Sequence, residues 1–507
     1  MGARFQFERS VAFAPERAPE ILRAVPAQPG VFALHGPRVE GQPEAEPYLT
    51  RAADLRRRVT RLLAPPDSQS KRLNLRERVA RIDYTVTGSE FESTLTLYHA
   101  AAAIFGLDEA RRRLKLRTPF FLRFTAENAY PRVYSTNRLS KRALGHFYGP
   151  FPSRAAADRY CDAVLDLFKL RRCVEELAPY AEHPGCVYGE MNKCLAPCNQ
   201  ACTPEGAAAY TAEAAAVKRF FDTRGESMVI DIGLAREEAS NGLHFERAAE
   251  LHAQWHKVKA TQALADELVQ PIPRLRAIVV QKAAQGTKDR EQGAGDSAAV
   301  FLLHGGCLGG PARLSTLGVR AVREQTSVGS SLFAQPLMLE AVPLAEDTQA
   351  AAVSAPLTPV ESPEVRAESL IAALEQQASA PTDLGTLSDH LSLLRRWYYR
   401  PEKQRAGEVF FPREDHTWPI RRILRGAARM ALGEPTAMAE THRELVQRNP
   451  ADEAQRPART KTLHGGRPEV ERSVPEIDVQ ADTGRDRELS APSVFKSRRK
   501  SPPPPDH

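Results

Sequence analysis

Four cysteines carry the densest chemistry in this chain. Cys173, Cys186, Cys194 and Cys198 follow the spacing C-x12-C-x7-C-x3-C. Thiolates are soft ligands, and four that converge can close around one tetrahedral metal or a four-iron cluster. Gly185 and Pro197 stand beside them, where sharp chain reversals are needed. The spacing fits zinc and iron–sulfur alike. Three further cysteines, Cys161, Cys202 and Cys307, complete the set of seven. Cys202 reads as a substitute ligand or a bystander. Met1 to Val11 shows no apolar export segment, so the cluster points to ligation in a reducing compartment rather than to disulfides.

A second constellation is basic. A helix is expected over about 52–63, with Leu55, Val59 and Leu62 as its apolar stripe. Arg51, Arg56, Arg57, Arg58 and Arg61 occupy much of the remaining surface, a pattern that suits phosphate contact and also suits a solvated helix face. The formal net charge of +7 over 507 residues leans the same way. The longest apolar runs, such as Ala100 to Leu107, fall far short of the ~20 residues that cross a bilayer. A cytoplasmic protein with no membrane partner is expected.

These residues need elements to position them. Strands are expected at 30–34, near 48–49 and at 81–87, with a helix at 89–105, making a small α/β unit over 26–134. A cysteine-rich domain with a helix at 155–170 fills 135–203. Residues 204–268 read as helical: Thr203 can cap the first helix, Arg224-Gly225 stops it, and Asn241-Gly242 turns between the next two. Phe245, Ala248, Leu251, Trp255 and Val258 recur at three and four residues as one apolar stripe. An α+β region with strands at 275–281 and 298–304 spans 269–430, with polar inserts at 282–297 and 345–363. From 431 onward the charged, proline-rich composition cannot bury enough apolar surface to offset its ordering entropy, so a disordered tail is expected. The fold class is therefore α+β and multidomain.

The flanking strings add a resemblance. Phe147-Tyr148-Gly149-Pro150-Phe151-Pro152-Ser153, then Leu167 to Cys173, Pro184 to Tyr188 and Lys193 to Cys198 resemble, in order and spacing, a segment of UvrC proteins. The resemblance implies a [4Fe–4S] cluster on Cys173, Cys186, Cys194 and Cys198. It also implies a GIY-YIG nuclease fold at the N-terminal end. There Tyr48 and Arg58 match the catalytic tyrosine and the phosphate-stabilising arginine. Phe32 stands where a motif tyrosine is expected, Thr50 replaces a glycine, and Leu97 falls where the metal-binding glutamate should be. A divalent metal, magnesium or manganese, is implied only if such a centre is active.

His244 to Leu251 resembles the UVR motif, a helical hairpin that docks on UvrB. The resemblance thus places Phe245, Ala248, Leu251 and Trp255 at a UvrB-like partner, and Arg51, Arg56, Arg57 and Arg61 on DNA. The function implied is a UvrC-like protein of nucleotide excision repair whose nuclease centre has degenerated. Two alternatives are an active, single-incision Cho-like endonuclease on damaged DNA and a regulatory iron–sulfur protein.

Overall fold

A computed structural model describes residues 5–38, 45–65, 73–284, 297–316, 319, 362–378, 383–401 and 404–432, and the backbone of 461–463 and 467–469. Most of the expected inserts at 345–363 and 282–297, and nearly all of the expected tail, lie outside the described residues. The fold is mixed helix and antiparallel sheet, in agreement with the α+β expectation.

The first sheet contains β1 (Arg9–Ala12), β2 (Gly30–His35), β3 (Tyr48–Ala52) and β4 (Arg81–Val86), in the order β1-β4-β2-β3. It begins before residue 26, because β1 pairs antiparallel with β4, Arg9 opposite Tyr84. Every residue of β2 is buried, which requires cover on both faces. On one face Phe32 and Leu34 pack with Ile21 and Leu22 of α1 (Ala18–Ala24) and with Leu55, Val59, Leu62 and Leu63 of α2 (Leu55–Leu63). Helix α2 starts later than expected. Ala52 ends β3, and the Asp54 carboxylate caps the helix by accepting the Arg57 amide at 2.8 Å. The other face is covered by α3 (Glu90–Phe105), capped by Ser89 and followed by α4 (Leu107–Leu114).

The second sheet contains β5 (Phe120–Phe124), β6 (Val133–Thr136), β7 (Phe147–Phe151) and β8 (Gln270–Pro271), ordered β6-β5-β7-β8. Its core face packs on α5 (Arg154–Leu165), which ends five residues before the expected 170. The cysteine-bearing segment follows as irregular chain with two single-turn helices, α6 (Val187–Glu190) and α7 (Pro197–Gln200). Then come α8 (Pro204–Asp222), α9 (Glu226–Asn241) and α10 (Phe245–Gln262). Thr203 Oγ1 accepts the Gly206 amide at 3.2 Å, so the expected cap is present. Gly225 at φ +80° makes the break between α8 and α9, a conformation in which glycine has no Cβ penalty.

The third sheet contains β9 (Arg276–Lys282), β10 (Ser297–His304), β11 (Cys307–Ser315) and β12 (Glu408–Phe410), ordered β11-β10-β9-β12 with antiparallel neighbours. One face, with Ile278, Val280 and Val300, packs on α11 (Pro363–Gln377) and α13 (Ile420–Leu432). The other, with Val279, Phe301 and Leu303, packs on α12 (Leu384–Tyr398). Phe91, Leu95 and Tyr98 of α3 join that second core beside Trp397. Burying such a side chain is worth roughly 1.5–3 kcal/mol. Helix α3 is thus shared between the first sheet and the third.

These elements belong to one compact unit, Met1–Glu440. In a second unit, Thr441–His507, the described backbone is the antiparallel pair β13 (Lys461–Leu463) and β14 (Arg467–Glu469).

Candidate nuclease-like and cysteine sites

The β2–β3 hairpin and α2 bring together the pair singled out from sequence. The Arg58 guanidinium donates to the Tyr48 hydroxyl at 3.3 Å. Phe32 lies beside them, its ring centroid 6.3 Å from that of Tyr48. It is fully buried in the α2-facing core, and a phenyl ring there has no proton to give or take. Among the described residues no carboxylate pairs with Arg58.

The carboxylates near the start of α3 are otherwise engaged. Glu90 accepts from Arg400 at 2.7 Å and pairs with Arg51 at 2.9 Å. Its carboxyl is held down to about 2, first by the Arg400 hydrogen bond and then by Arg51 against the opposing effect of partial burial. Arg51 and Tyr48 point to opposite faces of β3, so Glu90 does not share a face with the Tyr48–Arg58 pair. Glu92 accepts the Gly88 amide at 2.7 Å, and burial pushes its carboxyl up to about 7. His99 stacks edge-on toward His390, their centroids 5.8 Å apart, and burial lowers its pKa. Leu97 is half-buried on α3.

Of the arginines expected on phosphate, Arg57 and Arg61 are exposed on α2. Arg51 is committed to Glu90, and Arg56 Nε donates to the Val25 carbonyl at 2.7 Å. The basic helix therefore offers fewer unengaged cations than its composition suggests.

The four cysteines lie near enough to feel one another's charge. The Cys194 thiol is pushed up to about 11, first by burial and then by the neighbouring Cys186, Cys173 and Cys198, while the Ala196 amide opposes this. The Cys198 thiol is raised first by burial and then by Cys186 and Cys173. Donors face the sulfurs: the Ala196 amide lies 3.3 Å from Cys194 Sγ and Arg171 Nη1 lies 3.7 Å from Cys173 Sγ. Ala196 at φ +47°, Asn192 at +54° and Gly185 at +77° make the reversals that bring the thiols together. Cys202 is turned away, its thiol 2.7 Å from the Asn199 carbonyl. Cys161 is buried in the α5 core, and Cys307 lies on β11. Among the described residues no three Cys, His, Asp or Glu side chains are packed tightly enough to ligate a single metal ion.

Helices α9 and α10 form an antiparallel hairpin. Leu251 and Val258 are buried, packed with Val229, Ile232 and Ala239 of α9. Leu251 is therefore turned inward, away from the face expected to meet a partner. Ala248 and Trp255 are half-buried at the edge of the same core. Phe245 is 66% exposed and stands with Ile230, Leu234 and Leu243 among the exposed apolar side chains of this hairpin.

Residues 120–220, which hold the cysteine-bearing segment, match the family model described as UvrC/Cho excinuclease, middle domain. Over the stretch that these comparisons cover, the chain is similar to UvrC proteins. It is 31% identical over 241 residues to the UvrABC system protein C of Edwardsiella ictaluri, covering 47% of this chain and 37% of that protein. It is 27% identical over 250 residues to that of Idiomarina loihiensis, covering 48% of this chain and 37% of the relative. The matched part thus spans little more than a third of those relatives' length. No solved structure matches. No helix among the described residues is long and apolar enough to cross a membrane.

Proposed function

We propose that the protein acts in excision repair as a DNA- and UvrB-binding iron–sulfur subunit whose GIY-YIG-like centre no longer cuts. The observation that carries this reading is the Tyr48–Arg58 pair, with which no carboxylate among the described residues pairs. A phosphodiester is hydrolysed by an activated nucleophile, a metal Lewis acid and a cation on the developing charge. Arg58 supplies the cation. Glu90 is neutralised by two arginines on the other face, and Glu92 is buried and bound to a backbone amide. Neither is placed to hold a divalent ion at Tyr48.

The donor set at the cysteines suits a cluster. Four thiolates confined together repel one another, and an iron–sulfur core supplies the compensating positive charge. Cys173, Cys186, Cys194 and Cys198 would hold it, and the Ala196 and Arg171 N–H groups would steady the thiolates.

A second reading, single-incision cleavage in the manner of Cho, is favoured by the retained Tyr48–Arg58 contact. A nicking assay on lesion-bearing duplex with magnesium or manganese separates the two. The non-cutting reading expects no nick above background and capture of the chain by UvrB. Metal-dependent nicking lost in Arg58→Ala would establish the second reading and defeat the first.

A further inference from the structure

A cleft outside the nuclease-like and cysteine sites is lined by arginines that no local motif announces. It lies between the α8–α9 turn, the segment after α12 and the helix α13, and encloses about 890 Å³. Arg224, Arg400, Arg405, Arg422, Arg425 and Arg429 line it, against the carboxylates of Asp266, Glu267 and Glu408. Glu408 is spent on Arg429, which it meets with both oxygens at 2.7 Å. Arg400 is spent on Glu90. Arg224, Arg422 and Arg425 are exposed, and among the described residues no side-chain hydrogen bond or ion pair holds them. Arg422, Arg425 and Arg429 sit at three and four residues along α13, so they share one face, while Ile423, Leu424 and Ala427 anchor the other.

Aromatic rings form the rest of the wall. Tyr398 packs edge-on against Tyr399 and Phe411, at 5.0 and 6.4 Å between centroids. Arg405 lies 5.3 Å over the Tyr398 ring. Cations that track a backbone beside aromatic and guanidinium planes are the features by which single strands are held without sequence preference.

We propose that this cleft binds a single strand of nucleic acid through its phosphates, with Arg224, Arg422 and Arg425 as the contacting cations. The proposal rests on the DNA-repair reading above and adds a binding site outside the nuclease-like domain. A strand exposed beside a lesion is the form of substrate it would take.

The test uses the full chain and a labelled 20-nucleotide oligothymidylate, followed by fluorescence anisotropy over a series of salt concentrations. Each phosphate contact on a single strand adds about 0.7 to the slope of log affinity against log salt. The Arg422→Ala/Arg425→Ala variant is therefore expected to lower that slope by about 1.4 and to weaken binding at low salt. Arg421→Ala, on the same helix but outside the cleft, should leave the slope unchanged. Equal thermal melting of the variants checks that each is folded. An unchanged slope in the double variant, with wild-type binding intact, overturns this site and leaves the repair function standing. A loss of the same size in Arg421→Ala also overturns it. A wild-type chain that binds neither the oligomer nor a duplex overturns both readings.

Discussion

The Tyr98 hydroxyl donates a 2.9 Å hydrogen bond to the Asp389 carboxylate, joining α3 to α12 across 291 residues of sequence. Arg111 Nε donates to the same carboxylate oxygen at 2.8 Å. The Asp389 side chain is 5% exposed, so its charge depends on these two donors. Tyr98→Phe removes one donor and leaves the ion pair. Its expected effect is a loss of about 1 kcal/mol of stability. Asp389→Ala strands both the Tyr98 hydroxyl and Arg111, and about 3 kcal/mol is expected. Urea unfolding of the two single variants and their combination measures this. Strictly additive losses would show that the two residues do not interact.

That contact also shows where the sequence stopped being readable. The α3 periodicity announces a helix over 89–105, and the structure has one at Glu90–Phe105. Nothing local announces that Phe91, Leu95 and Tyr98 meet Phe301 and Trp397, because those partners lie hundreds of residues downstream. The cysteine loop is the opposite case. Its candidate ligands fall within a short stretch, so their spacing is visible in the sequence itself, and only Cys202 is left open. The arginine stripe near 51–61 misled in a third way. Composition counts charges, but not that Arg51 meets Glu90 and Arg56 meets a carbonyl. The first strand, Arg9–Ala12, was missed because its four residues are mostly exposed and carry no alternating apolar pattern.

Glu92 makes stability depend on pH in an unusual direction. Its folded carboxyl titrates at about 7, raised mainly by burial from an ordinary 4.5. The folded state therefore binds this proton more tightly than the unfolded state. Its contribution is fully present below about 4.5 and is lost as pH rises to about 7. The size is at most on the order of 3 kcal/mol. Glu90 acts in the reverse sense and in another window, because its lowered pKa makes stability fall only as pH drops from 4.5 toward 2. Thermal melting should rise as pH falls from 7.5 to 5, and Glu92→Gln should flatten that part of the curve. A flat wild-type profile, or a slope untouched by Glu92→Gln, would refute the assignment.

The proposed cluster makes the cysteines unequal. Anaerobically purified protein should be brown and carry about four irons per chain, as ligation by four thiolates implies. Cys194→Ser should lose the iron and loosen the loop around it, because that loop has little core of its own. Cys161→Ser, Cys202→Ser and Cys307→Ser should keep the iron. Stoichiometric zinc without iron would show the site to be a mononuclear one.

The hairpin separates a partner face from a core face by a test on two residues of one helix. Phe245 is 66% exposed at the start of α10, whereas Leu251 is 5% exposed and packed on α9. Phe245→Ala removes no buried contact within the chain, so its melting temperature should match wild type. If the hairpin docks on UvrB, the same change removes an aromatic anchor, and a loss on the order of 2 kcal/mol in binding is expected. Leu251→Ala should do the opposite. It opens a cavity between α9 and α10 and should cost about 2–5 kcal/mol of stability. Its weaker capture by UvrB would then follow from a loosened hairpin and should recover under conditions that restore folding, such as added osmolyte. Titration of each variant with UvrB by calorimetry, beside its melting curve, reads both quantities. Unchanged UvrB affinity in a folded Phe245→Ala variant would mean that this exposed ring is not the docking anchor. Ile230 and Leu234, exposed on α9, would then be the apolar side chains left to test.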